Sequence, residues 1–114
     1  MKNFEKEALS LLLAKRFSAD QLKRIIEAAE IAGYEYTGSG YFLLISHPEI
    51  PDETSTWDEP IVMGEADRIV CGFVAFIANG RITLECHSWG ELEVPEDFRS
   101  RDVHLTVRIL PETL

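Results

Sequence analysis

Apolar and polar positions alternate with two different periods along this chain. Phe4, Ala8, Leu11 and Leu12 recur at helical spacing, Leu9 and Leu13 widen the stripe, and Arg16-Phe17 closes the run. Ser18 opens a second helix with a capping box, its hydroxyl accepting from the backbone N–H of Gln21 while Gln21 reaches back. Leu22, Ile25, Ile26 and Ala29 form that helix's buried stripe, and Gly33 suits the left-handed position beyond its end. The short connection predicts an antiparallel helix pair over residues 1–33.

After Gly33 the period falls to two. Tyr34 to Thr37 reads as a short strand broken by Gly38-Ser39-Gly40, and Tyr41 to Ser46 as a stronger one. Residues 47–60 read as a long loop, because Pro48, Pro51 and Pro60 exclude regular structure. Ile61 to Asp67 is a weaker strand. Ile69 to His87 is a hairpin turning at Asn79-Gly80, a pair suited to the two positive-φ positions of a type I′ turn. Residues 89–101 form a polar connection in which Pro95 to Phe98 makes one helical turn. In the last strand Val103, Leu105, Val107 and Ile109 point inward, and His104, Thr106 and Arg108 outward. The whole predicts one α+β domain over residues 1–114, its helix pair on one face of a four- to five-stranded antiparallel sheet over 34–114.

The turn fixes the hairpin's register and so its faces. Ile77 opposes Ile82, Ala75 opposes Leu84, and Phe73 opposes Cys86, an apolar face that must be core. Ala78 opposes Arg81, Phe76 opposes Thr83, Val74 opposes Glu85, and Gly72 opposes His87, a mixed face of the kind partners use. Cys71 and Cys86 then both point into the core as diagonal neighbours, roughly 7–8 Å apart. That spacing suits two reduced thiols rather than a disulfide.

Charge sharpens the functional expectations. The formal net charge is −9. Residues 1–33 hold six bases against five acids, and residues 34–114 hold five bases against fifteen acids. An acidic field of this kind repels nucleic acid and anionic membranes and speeds encounter with basic partners. Leu11 to Ala14 is too short and too closely flanked by charge for a signal peptide or a membrane span, so a cytoplasmic location is expected.

Most catalytic readings fail on geometry. Cys86 and His87 are adjacent in a strand and point to opposite faces, so they cannot act as nucleophile and base. Gly38-Ser39-Gly40 has neither the Lys-Ser/Thr pair nor the helix start of a phosphate loop. Glu91, Glu93, Glu96 and Asp97 read as a solvated loop. Glu85, His87 and His104 would make a metal cluster only if their strands were neighbours. No motif requires a cofactor. The better lead is the 47–60 loop, with five acids and no Lys or Arg, where Trp57 is followed by Asp58 and Glu59. An aromatic anchor among carboxylates suits a basic protein. Trp57, Asp58 and Glu59, with Phe76, Glu85, His87 and Trp89 near the open sheet face, are the candidate partner-binding residues. One alternative is self-association, with Val74 and Phe76 pairing two copies across a two-fold axis, and a further one is a small enzyme or a metal or small-molecule binder at Glu85, His87 and His104.

Gly72 to Glu91, followed by Val94-Pro95-Glu96-Asp97, resembles the C-terminal half of a family of small uncharacterised bacterial α+β proteins. Their pattern is a Gly-Phe strand, a turn with Gly, a Leu-Glu strand, an aromatic segment with Gly, and Pro-Glu-Asp/Glu. Gly40-Tyr41-Phe42 resembles an earlier strand of the same family. The chain departs from it at Cys86-His87-Ser88-Trp89. The resemblance carries no activity to particular residues. Some small acidic α+β proteins of this general kind are similar in class to immunity proteins that neutralise bacterial toxins, and together with the acidic charge this gives the expectation of a non-enzymatic binding module, an immunity-type inhibitor of a basic partner.

Overall fold

The computed structural model describes residues 1–109. Helices α1 (Asn3–Leu12) and α2 (Ala19–Ala28) precede strands β1 (Glu30–Tyr36), β2 (Gly40–Ser46), β3 (Ser55–Ala66), β4 (Ile69–Ala78), β5 (Arg81–Ser88) and β6 (His104–Arg108). A single 3-10 turn, Phe98–Ser100, lies between the last two strands. All six strands join one antiparallel sheet in the order β1-β2-β5-β4-β3-β6. The protein is α+β, with six strands where the pattern predicts four or five. No described helix is long and apolar enough to cross a membrane.

The helices form for the reasons their sequences give. Glu5 accepts the backbone N–H of Lys2 at 2.8 Å, which anchors the start of α1. Ser18 Oγ accepts the Gln21 N–H at 3.2 Å at the start of α2. Phe4, Ala8, Leu9 and Leu12 of α1 and Leu22, Ile25 and Ile26 of α2 are buried in one core with the inward residues of the sheet. Phe4 tilts against Phe73 of β4 with ring centroids 6.0 Å apart. The β4–β5 hairpin has the register that Asn79-Gly80 dictates, Phe73 opposite Cys86 and Gly72 opposite His87 included. Asn79 and Gly80 take φ of 54° and 70°. Cys71 and Cys86 are both buried and free.

Three boundaries differ from the sequence expectation. First, α2 ends at Ala28 and Ala29 is already extended, so the chain enters β1 at Glu30. After Ile26 and Ala29 the next positions on the helical stripe are Ala32 and Gly33, too small to hold another turn on the core, and β2 offers a free edge instead. Gly33 therefore marks the register shift in the β1–β2 pair and does not cap α2. Second, the predicted loop 47–60 ends at residue 54, because Ser55 to Pro60 belong to the 12-residue strand β3. Pro60 removes one ladder donor, and the strand absorbs it in an irregularity between Trp57 and Val62. Third, the inward residues of β6 meet little cover, since β6 is the sheet edge. Leu105 is half-buried, but Val107 is 40% and Ile109 81% exposed.

One polar group sits within this core. Glu5 is fully buried. Its carboxylate accepts Nε and Nη2 of Arg99 at 2.7 and 2.9 Å and the Tyr41 hydroxyl at 2.6 Å. The Arg99 guanidinium also lies over the rings of Tyr34 and Tyr41, 5.0 and 5.6 Å from their centroids. Burial, with the Glu5 charge beside it, pushes the Tyr41 hydroxyl well above the usual tyrosine value. Every lone-pair direction of Glu5 that faces the protein has a donor, which is what a buried carboxylate requires. This cluster ties α1, β2 and the 98–100 turn together.

Candidate functional site

Both helices share a core with the inward face of the sheet, which leaves the opposite face without a helix. Its cross-strand rows follow from the register. Glu35, Phe42, Glu85 and Val74 form one row, and Leu44, Thr83, Phe76 and Thr56 the next. His87, Gly72, Met63 and Thr106 form a third. Phe42, Leu44, Val74 and Phe76 are half-buried. The outward face is thus a belt of aromatic and aliphatic side chains interrupted by carboxylates.

The irregularity in β3 gives this face its relief. Four residues, Asp58 to Ile61, stand opposite the single residue Val74 of β4. The surplus chain must leave the ladder, so Asp58 and Glu59 rise beside β4. Across β4 stand His87 and Trp89 from the end of β5. Between them lies a cleft of about 290 Å³ lined by Asp58, Glu59, Ile61, Val74, His87 and Trp89 among others. Gly72 makes room for the aromatic wall. A Cβ there would lie 2.9 Å from His87 Nε2 and 3.1 Å from the Trp89 ring. His87 and Trp89 meet edge to face, with centroids 6.1 Å apart.

The wall's polar atoms are arranged asymmetrically. His87 Nδ1 is buried without a hydrogen-bond partner, yet lies 3.3 Å from Glu85 Oε1. The distance admits an ion pair while the alignment falls short of a hydrogen bond. Nε2, on the other side of the ring, packs over Gly72. Among the described residues neither Asp58 nor Glu59 takes part in an ion pair.

The structure therefore brings together four of the seven candidate residues, Asp58, Glu59, His87 and Trp89. Phe76 and Glu85 share their face of the sheet. Trp57 does not. It opposes Ala75, an inward residue, packs at the edge of the core and donates its indole N–H to Ser55 Oγ at 2.9 Å. Strand alternation sends Trp57 to the helix side, which the loop reading could not reveal. The more exposed of the two tryptophans is Trp89, at 49%. Two further acids of the predicted loop are engaged inside the molecule. Glu49 pairs with Arg24 at 2.8 Å and Glu53 with Arg16 at 2.6 Å. Hydrogen bonds from these guanidinium groups hold both carboxyls below the usual carboxylate range.

The metal cluster imagined from Glu85, His87 and His104 does not assemble. His104 is on β6, three strands from β5, or roughly 14 Å at ordinary strand spacing. Among the described residues no group of three or more His, Cys, Asp or Glu is placed to hold a metal ion. Sequence reasoning missed Gly72 and Ile61 as parts of the site. A glycine inside an otherwise apolar strand, Cys71-Gly72-Phe73-Val74, was the available signal for a close approach. A scan against protein-family models found no match, and searches of curated proteins and of solved structures found none either.

Proposed function

We propose that this protein is a non-enzymatic binding module whose uncovered sheet face docks a basic protein. The observation that carries the proposal is the cleft over β4, where an exposed tryptophan faces two unpaired carboxylates in the acidic half of the chain. Trp89 supplies area to bury, and the acidic surround speeds approach of a positively charged surface. Phe42, Leu44, Val74 and Phe76 extend the contact along the sheet. Inhibition of a basic toxin by an immunity-type protein of the bacterial cytoplasm is the biological form that fits this chemistry and the resemblance of residues 72–97.

The test is affinity capture from cells that make the protein, comparing wild type with Trp89→Ala and Trp57→Ala, followed by reconstitution with the purified candidate. A basic protein held by wild type and by Trp57→Ala but lost with Trp89→Ala agrees with the reading. Loss with Trp57→Ala alone would overturn it.

A second reading is favoured by the uncovered Val74 and Phe76, which could pair two copies face to face. Light scattering during size exclusion separates the two. A mass of 12.9 kDa that holds across concentrations removes the dimer.

A further inference from the structure

Resting on that reading, we infer that the cleft over β4 is a seat for one guanidinium group, an arginine side chain of the docking protein. The two charged side chains that line the cleft, Asp58 and Glu59, are both carboxylates. They present acceptor oxygens on one side, and the rings of His87 and Trp89 wall the other. No lining residue carries an ammonium or guanidinium. A ligand that only donates matches this set. Guanidinium has five N–H donors and no acceptor.

The shape selects guanidinium over ammonium. Its flat ion stacks on an indole face and spreads its donors in a plane, whereas an ammonium is a compact, strongly hydrated point charge. The bulge rim, Asp58-Glu59, faces the Trp89 wall across β4, so a planar cation could contact a ring and a carboxylate together. None of the chain's own bases lines this cleft, although Lys15 shares a neighbouring pocket with Asp58 and Glu59. Arg99 is held by Glu5 and Arg101 by Asp67 and Asp97, and none of the arginines lines the cleft.

The experiment titrates N-acetyl-arginine amide into the ¹⁵N-labelled protein and follows backbone amides and both indole N–H signals. N-acetyl-citrulline amide, isosteric but uncharged, and N-acetyl-lysine amide are run in parallel. Arginine amide is expected to move Gly72, His87 and the Trp89 indole saturably, with Kd on the order of millimolar, as befits a single side chain. The backbone amides of α2, on the other face, serve as an internal control and stay in place. Citrulline amide should leave all these signals unmoved, and lysine amide should bind several-fold more weakly. The double variant Asp58→Asn/Glu59→Gln should weaken arginine amide by at least ~10-fold, the loss of charge-assisted hydrogen bonds. Both substitutions are at exposed positions, so the spectrum's dispersion verifies the fold.

Equal shifts with citrulline amide, tighter binding of lysine amide, or no saturable response by the folded wild type would each overturn the guanidinium seat. The broader reading is tested separately by Phe76→Glu, outside the cleft. If that variant abolishes partner capture while arginine amide fails to bind, the docking face stands and the seat falls. If arginine amide binds as expected and Phe76→Glu leaves capture intact, the seat stands and the wider face falls.

Discussion

Replacing Glu5 by Leu should be among the most damaging single changes in this protein. The substitution strips the Arg99 guanidinium of two hydrogen bonds and the buried Tyr41 hydroxyl of its acceptor. Arg99 retains some solvent access, its side chain being 23% exposed, whereas Tyr41 is 1% exposed and finds no water. Removing one partner of a buried pair costs about 3–5 kcal/mol, because the other charge stays behind uncompensated. That is a large part of the roughly 5–15 kcal/mol by which a domain is stable. The asymmetry supplies a sharper test. Glu5→Leu with Arg99→Met removes both charges, and the double variant should lose at least ~2 kcal/mol less than the sum of the singles. Adding Tyr41→Phe should recover a further ~1 kcal/mol by removing the stranded hydroxyl. Urea unfolding followed by tryptophan fluorescence, extrapolated linearly for each variant, gives the cycle. A single-variant loss under ~1 kcal/mol, or additivity within ~0.5 kcal/mol, would refute the reasoning.

Other expectations follow from the same contacts. Trp57→Ala should cost ~1–3 kcal/mol of stability by opening the core's edge, while Trp89→Ala should stay within ~0.5 kcal/mol, and paired thermal melts will tell. Cys86 is held well above the usual thiol value by its hydrogen bond to Cys71 and by burial. Both thiols are buried, so they should ignore a disulfide reagent such as DTNB until the chain unfolds, and stoichiometric labelling of the native protein would contradict this. Glu49 and Glu53 have carboxyls lowered on folding by Arg24 and Arg16. Their support is complete above the unfolded carboxylate range and fades as pH falls through the lowered folded values. The gap in urea midpoint between wild type and Glu53→Gln should thus shrink from pH 7 toward pH 3, and a gap that widens in acid would be inconsistent.

What could be read in advance was whatever local chemistry decides. Asn79-Gly80 admits one turn, and the turn places every pair of the hairpin down to Cys71 opposite Ser88. Ser18 and the spacing of Leu22, Ile25 and Ile26 likewise define a helix without help from the rest of the chain. The misreadings came where tertiary pairing overrides local preference. Glu30 to Gly33 continues a helical-looking segment, yet the open edge of β2 draws it into the sheet. Pro60 and its acidic neighbours look like loop, yet β4 and β6 flank the strand that holds them. That one error reversed Trp57, since a residue in a strand owes its face to the register and a loop has none. The Glu5–Arg99 pair spans 94 positions, and nothing near Glu5 in sequence announces a partner. The cleft itself was half visible. His87 and Val74 followed from the hairpin, but the bulge that raises Asp58 and Glu59 beside them depends on a count of residues between two ladders.

The claim that the uncovered face is where a partner docks is open to one direct measurement. A photo-crosslinking residue placed at Val74, at Trp89 or at Leu11 on the helix side would be irradiated in cells that make the protein. Adducts of positions 74 and 89 with one common basic protein, and none of that protein from position 11, are the predicted result. Adducts chiefly from position 11, or only between copies of the chain itself, would contradict it.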